Sequence, residues 1–295
     1  MKKGVFWLII LLLLGCKAFQ QIAGGVYGSA GNEHNPTQGV ISPGAYQTIE
    51  IAKDQVYQGN LLLVNKEYPV HKMGVKSDVV HLYQNEELVR GYGLLDSSIQ
   101  ASESVAKAFL EMVGAAQKDN VSHFMINSGY RSFEEQNQLY EEMGPELAMP
   151  GGYSEHNLGL ALDIGSTQMK MEQAPEGTWL EENAWKYGFI LRYPEDKRAI
   201  TGTVFEPWHY RYVGMPHSAI IQDHHFALEE YLDYVRENEH LSVQVDGETY
   251  EISYYPVSRD TTIDVPVNRY YTISGDNMGG IIVTLYPENE KPQQE

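Results

Sequence analysis

The chain has 295 residues, 42 % of them hydrophobic and 21 % charged, enough for one sizeable core and a smaller module. Asp and Glu outnumber Lys and Arg by 40 to 21, giving a formal charge of −19. Such a surface repels phosphates, which excludes nucleic acid as a partner and otherwise reads as a well-solvated exterior. The single cysteine, Cys16, excludes an intramolecular disulfide.

Lys2 and Lys3 precede an apolar run from Val5 to Leu14, followed by Gly15 and Cys16. A basic start and a short apolar stretch form an export signal, and the run is short for a bilayer span. Leu13-Leu14-Gly15-Cys16 resembles the lipobox of bacterial lipoproteins, in which the cysteine is lipidated. An uncleaved anchor and free secretion are the competing readings. All three place the bulk of the chain outside the cytoplasm.

Residues 17–57 are rich in Gly, Gln, Ser, Asn and Pro without a sustained apolar period, the texture of a flexible tether. Order is expected from near Val56, with Leu61 to Asn65 as a short buried strand. A helix is expected over 97–118, with Val105, Phe109, Met112 and Val113 on one face, then a strand at Phe124 to Asn127. Ser132 with Glu135 forms a capping box for the next helix, with Leu139 and Met143 inward. A further helix over 179–187 is stopped by Gly188. Strands follow at Phe189 to Leu191 and Tyr210 to Val213, and one helix over 219–238 closes the domain.

After Leu241 the pattern alternates apolar and polar residues and is broken at Asp246-Gly247 and Gly279-Gly280. Asp-Gly between two alternating runs is a hairpin signal, so residues 242–287 read as a small β module of four or five strands. Residues 288–295 read as a disordered tail.

Two segments carry the chemistry: Ser154-Glu155-His156 running on to Asp163, and Glu206-Pro207-Trp208-His209. Together they supply two imidazoles, a carboxylate and a spare glutamate, the parts of a catalytic zinc site with three protein ligands and a base. Leu158, Leu160 and Leu162 alternate with Gly159 and Ala161, which is strand parity and puts Asp163 on the face of the small residues. Glu206 and His209 are three apart, opposite faces of any regular strand, and Pro207 disfavours one. A turn there delivers both to one centre. The assignment is zinc, one ion per chain, held by His156, Asp163 and His209, with Glu206 handling protons. His71, His81, His123, His217, His224, His225 and His240 are read as structural or surface residues.

Ser128-Gly129-Tyr130-Arg131-Ser132, Ser154-Glu155-His156 with Gly159, Ala161 and Asp163, and Glu206 to Tyr212 resemble, in this order, the VanY-type D-alanyl-D-alanine carboxypeptidases. The likeness runs over residues 58–241. It implies an α+β fold, a central antiparallel sheet flanked by helices (hedgehog/DD-peptidase-like), with the small C-terminal all-β module appended. It implies zinc on His156, Asp163 and His209, Glu206 as base, Arg131 as peptide-binding residue, and Gln136 and Ser154 as its helpers. A planar guanidinium grips a terminal carboxylate with two hydrogen bonds, which suits Arg131 to that task, with Arg211 and Arg192 as the alternative candidates.

The implied substrates are peptidoglycan stem peptides or lipid-linked precursors ending in D-Ala-D-Ala, met on the extracytoplasmic face of the cell membrane, to which the N-terminus attaches the chain. The alternatives are an L,D-carboxypeptidase or a D,D-dipeptidase of the same family, and a catalytically silent, lipid-tethered protein that binds wall peptide.

Overall fold

The computed structural model describes residues 45–288, Glu146 excepted. Cys16, the apolar run before it, most of the expected tether and the tail past Glu288 lie outside the described residues. Chain order begins with strand β1 (Tyr46–Ile51), β2 (Val79–His81), β3 (Gly93–Leu94) and β4 (Gln100–Ser102). Helix α1 (Glu103–Lys118), β5 (Phe124–Ser128), α2 (Phe133–Met143), β6 (Ala161–Ser166), α3 (Pro175–Asn183), β7 (Phe189–Leu191), α4 (Arg198–Thr201) and β8 (His209–Tyr212) follow. The chain then forms α5 (His217–His224), α6 (Leu228–Asn238), β9 (His240–Val245), β10 (Glu248–Pro256), β11 (Thr261–Pro266), β12 (Tyr271–Gly275) and β13 (Gly280–Leu285).

The central sheet has the order β3-β5-β6-β8-β7. It is antiparallel except for the β3–β5 edge, which is parallel. Helix α1 lays Val105, Phe109, Met112, Val113 and Ala116 onto it, all buried. Phe109 meets Phe124 and Phe189 edge-on, with centroids 6.4 Å away in each case. Each such buried ring contributes about 1.5–3 kcal/mol from area removed from water. This core fixes β5, β6 and β8, the strands that carry the site.

Several elements differ from the sequence expectation. The α1 helix starts at Glu103 because Ser102 is its cap: Ser102 Oγ accepts from Val105 N, and Asp78 binds both Ser102 and Ser104 N. The Ser132–Glu135 capping box forms, but α2 buries Gln136, and Met143 is 47 % exposed. The single helix expected over 219–238 is two, because His225 adopts a left-handed backbone between α5 and α6. Strand β6 begins only at Ala161, since Glu155–Asn157 is a helical turn and Gly159 has φ +83°.

The tether reading does not hold up to residue 57. Residues 46–51 form β1, paired antiparallel with β11 over their whole length, and Lys53–Tyr57 is a short helical turn. Leu61 to Val64 are all buried but form no ladder. Beyond Leu241 the chain is a β structure, as its alternation indicates, with β12-β13-β10-β9 in one sheet and a tight β9–β10 turn at Asp246-Gly247. Its apolar face is continuous with the first unit: Leu61, Leu63, Ile190, Val213, Leu228, Tyr231 and Leu232 share one buried cluster with Ile252 and Ile282.

Candidate metal centre

Register does the first part of assembling the site. In the β6–β8 ladder Asp163 lies directly opposite His209. Asp163 also faces Ser128 across a bulge in β5. The β5 end leads into Gly129-Tyr130-Arg131, and this loop receives the turn that bears His156. Arg131 N donates to His156 O at 3.1 Å, and His156 Nδ1–H donates to Gly129 O at 2.6 Å. That bond fixes the ring and leaves Nε2 as its electron-pair donor.

His156, Asp163 and His209 thereby converge, with one donor atom from each lying within 4.8 Å of the others. His156 Nε2 is 3.3 Å from Asp163 Oδ2, and His209 Nδ1 is 3.1 Å from Asp163 Oδ1. Two nitrogens and a carboxylate oxygen at this separation fit one small divalent cation of borderline softness. The expected turn is present as well: His209 N donates to Glu206 O, and Glu206 Oε2 ends 3.8 Å from His209 Nδ1. So Glu206 stands beside the ligand set without belonging to it.

The electrostatics follow from burial and neighbours. Burial opposes ionisation of Asp163, but His156 and His209 alongside hold its carboxyl well below the ordinary carboxylate range. His156 is pushed down, because burial outweighs the attraction of Asp163. Burial pulls His209 the same way, yet its bonds to Asp163 and Glu155 win and carry it up to about 9. Glu206 is raised, first by burial and then by the charges of Asp163 and Glu155. A carboxylate made more basic in this way is suited to accept and return a proton.

One consequence is measurable. His209 holds its proton up to about pH 9, whereas a cation needs that nitrogen's lone pair. Binding at neutral pH should therefore expel about one proton per site, with affinity climbing as pH rises. Calorimetry in buffers of different ionisation enthalpy reads this directly. Zero proton release would show that His209 is already neutral at that pH, before the cation arrives.

The three residues expected to hold peptide are placed as follows. Arg131 is largely buried, and its Nε has no partner among the described residues. Burial lowers its pKa, against the pull of Asp163, Glu206 and Glu135. Gln136 Nε2 donates to Met149 O at 2.6 Å, while its buried Oε1 is unpartnered among the described residues. Ser154 caps the His156 turn, its Oγ accepting from His156 N at 3.4 Å, so its first role is to shape the turn.

Sequence reasoning gave Glu155 no role and weighed Arg192 and Arg211 only as lesser candidates for gripping the terminal carboxylate, whereas the structure buries both against Glu155. Glu155 is 1 % exposed, Arg192 1 % and Arg211 0 %. Glu155 Oε1 accepts from Arg192 Nε at 2.8 Å and from Arg211 Nη1 at 2.7 Å, while Oε2 faces His209 Nε2 at 3.3 Å. Arg192 also makes a two-pronged pair with Glu229. Two cations and two anions thus balance within a buried cluster. Burial works against Glu155 ionising, but Arg211 and Arg192 keep it charged. The available signal was an acid inside Ser-Glu-His, but its partners lie 37 and 56 residues away.

Known proteins resemble this chain over most of its length. Residues 98–215 match the family described as VanY, D-alanyl-D-alanine carboxypeptidase. A D-alanyl-D-alanine carboxypeptidase of Enterococcus faecium is 54 % identical over 293 residues, covering 97 % of each chain. The bifunctional D-Ala-D-Ala dipeptidase and carboxypeptidase VanXYC of Enterococcus gallinarum is 34 % identical, over 59 % of this chain and 94 % of its own. Among solved structures, the vancomycin-resistance D,D-dipeptidase VanXYg, in complex with a D-Ala-D-Ala phosphinate analogue, superposes with a TM-score of 0.72 at 32 % identity. That match covers 82 % of this chain and 100 % of the other. The chain belongs to the VanY D-alanyl-D-alanine carboxypeptidase family.

Proposed function

We propose that this protein is a zinc-dependent D,D-carboxypeptidase that removes the terminal D-alanine from peptidoglycan stems or precursors ending in D-Ala-D-Ala. The observation that carries the reading is the convergence of His156, Asp163 and His209 with Glu206 unligated beside them. Zinc, when bound, supplies a Lewis acid that polarises the scissile carbonyl and makes water a competent nucleophile near neutral pH.

The remaining work belongs to the side chains. Glu206 takes the proton of the attacking water and returns it to the leaving amine of D-alanine. Arg131, with an unpartnered buried Nε, grips the substrate's terminal carboxylate and sets the register for single-residue removal. Gln136 offers a free Oε1 to a peptide N–H beside it. An acylating serine mechanism gains no support. The Ser-x-x-Lys spacing at Ser104 and Lys107 sits at the start of α1, where Ser104 contacts Ser102 and Lys107 Nζ bonds Glu103 at 2.7 Å. Inhibition by β-lactams, which trap such a serine, should therefore be poor.

Removing that D-alanine destroys the motif that vancomycin-like glycopeptides bind, and this is the benefit we assign to the activity. We place the enzyme on the extracytoplasmic face of the membrane, held by a lipid on Cys16 or by the apolar run before it. The basis is the sequence from Lys2 to Cys16. Among the described residues no helix is long and apolar enough to cross a membrane.

The deciding experiment offers the purified protein defined pentapeptide and tetrapeptide stems and follows D-alanine. Release from the pentapeptide alone is expected. Release from the tetrapeptide alone would make it an L,D-carboxypeptidase. Free D-Ala-D-Ala cleaved in preference to pentapeptide would make it a dipeptidase.

A further inference from the structure

Resting on the metal assignment above, we propose that the C-terminal sheet is a positioning element for the metal centre. It acts on His209 through the extended segment 60–63, Arg211 and Glu155.

Segment 60–63 is bonded on two sides with the parity of a strand. Its odd residues face the C-terminal unit. Leu61 N donates to Ser274 Oγ at 2.8 Å, Leu63 N donates to Asp276 O at 3.1 Å, and Asn277 Nδ2 donates to Leu63 O at 2.8 Å. Its even residues face the catalytic unit. Asn60 O and Leu62 O both accept from Arg211 Nη2, at 3.0 and 2.9 Å. This is why a buried apolar run with a strand's signature forms no ladder: apart from the main-chain bond of Leu63 N to Asp276 O, the side chains of Ser274, Asn277 and Arg211 occupy the places of neighbouring strands.

The next links are equally short. Arg211 Nη1 donates to Glu155 Oε1 at 2.7 Å, and Glu155 Oε2 meets His209 Nε2 at 3.3 Å. That leaves His209 Nδ1 aimed at the cation site, so Glu155 determines which nitrogen is the ligand. The far end of the relay is rigid as well. Asp276 Oδ1 accepts from the backbone N–H groups of Met278, Gly279 and Gly280, and Oδ2 accepts from Tyr254 Oη. This holds Asn277 in its left-handed conformation, φ 64°, with a second bond to Pro69 O. Asp276, Arg211 and Glu155 are at most 1 % exposed, so water does not substitute for any of these partners.

The test measures zinc dissociation constants of the full chain by chelator competition, independently of any substrate. Glu155→Gln should weaken zinc about 10- to 100-fold, the usual cost of losing a ligand's outer partner. Asn277→Gly tolerates the left-handed backbone while deleting the amide, and should weaken zinc about tenfold by the same logic. Arg211→Lys keeps the charge but not the fork, and should fall in the same range.

Combined, Glu155→Gln and Asn277→Gly should cost little more than Glu155→Gln alone, because they cut one chain of contacts. Arg269→Ala is the control. It removes bonds to Glu251 and Tyr286 inside the C-terminal sheet and should lower the melting temperature without moving zinc affinity. Should Asn277→Gly not melt cooperatively, Ser274→Ala, which removes the acceptor at Leu61, replaces it with the same expectation. Wild-type affinity in the folded Asn277 or Ser274 variant, multiplicative losses in the double variant, or an equal loss in Arg269→Ala would each overturn the relay. A wild-type chain that binds no zinc would instead overturn the metal assignment itself.

Discussion

Glu206→Gln should keep its zinc and lose D-alanine release by about 10²- to 10⁴-fold, the range that removal of a positioned proton-transfer group produces. The substitution preserves size and leaves the three ligand atoms alone, since Glu206 approaches His209 Nδ1 only to 3.8 Å. It removes the one carboxylate of the site that burial and its anionic neighbours have made more basic. Zinc content by elemental analysis, together with kcat on a pentapeptide stem, decides the matter. Loss of zinc in parallel with activity would make Glu206 a ligand, and undiminished kcat would remove it from the mechanism.

Asp163→Asn should be more damaging to binding than to folding. Asp163 contacts both imidazoles at 3.1 and 3.3 Å and supplies the only anionic donor of the set. A four-ligand zinc site is worth about 10–16 kcal/mol. One charged ligand of three therefore carries a few kcal/mol, on the order of a 10³-fold loss of affinity. D-alanine release at limiting zinc should disappear with it. The variant should still fold, because the sheet beneath is held by Ile164, Leu162 and the α1 face rather than by this carboxylate. Retained zinc affinity would require a different third ligand.

The convergence of His156, Asp163 and His209 was legible in the sequence, partly from local chemistry and partly from the ordered motifs that resemble the VanY type. Pro207 disfavours a regular strand and so favours the turn that brings Glu206 and His209 together, and the Ser132–Glu135 box is local by construction. What was not legible depends on partners far along the chain. Ile49 and Ile51 alternate with Thr48 and Glu50, a weak strand signal, and the strand exists because β11 pairs with it from beyond residue 260. Gln136 is a polar residue on the buried face of α2, because its amide has Met149 O to satisfy it. The break at His225 needs a left-handed backbone that no glycine advertises. Glu155 stands between two motif residues, yet its role follows only once Arg192 and Arg211 are seen on either side of it.

The same distant contacts explain why the C-terminal strands do not behave as an appendage. They share a core with α5 and α6 through Ile252 and Ile282. They also bond the segment on which Arg211 rests. A buried charge cluster of this kind is costly to break, because removing one member strands the others without water, by about 3–5 kcal/mol. Its function is best read as orientation of His209, with stability a secondary result.

The most direct test strips the purified protein of metal and titrates zinc back while following D-alanine release from a pentapeptide stem. Release should be absent from the stripped chain and should return linearly, reaching its plateau at one zinc per chain. Full activity without metal, or a plateau that requires two ions, would contradict a single cation held by His156, Asp163 and His209.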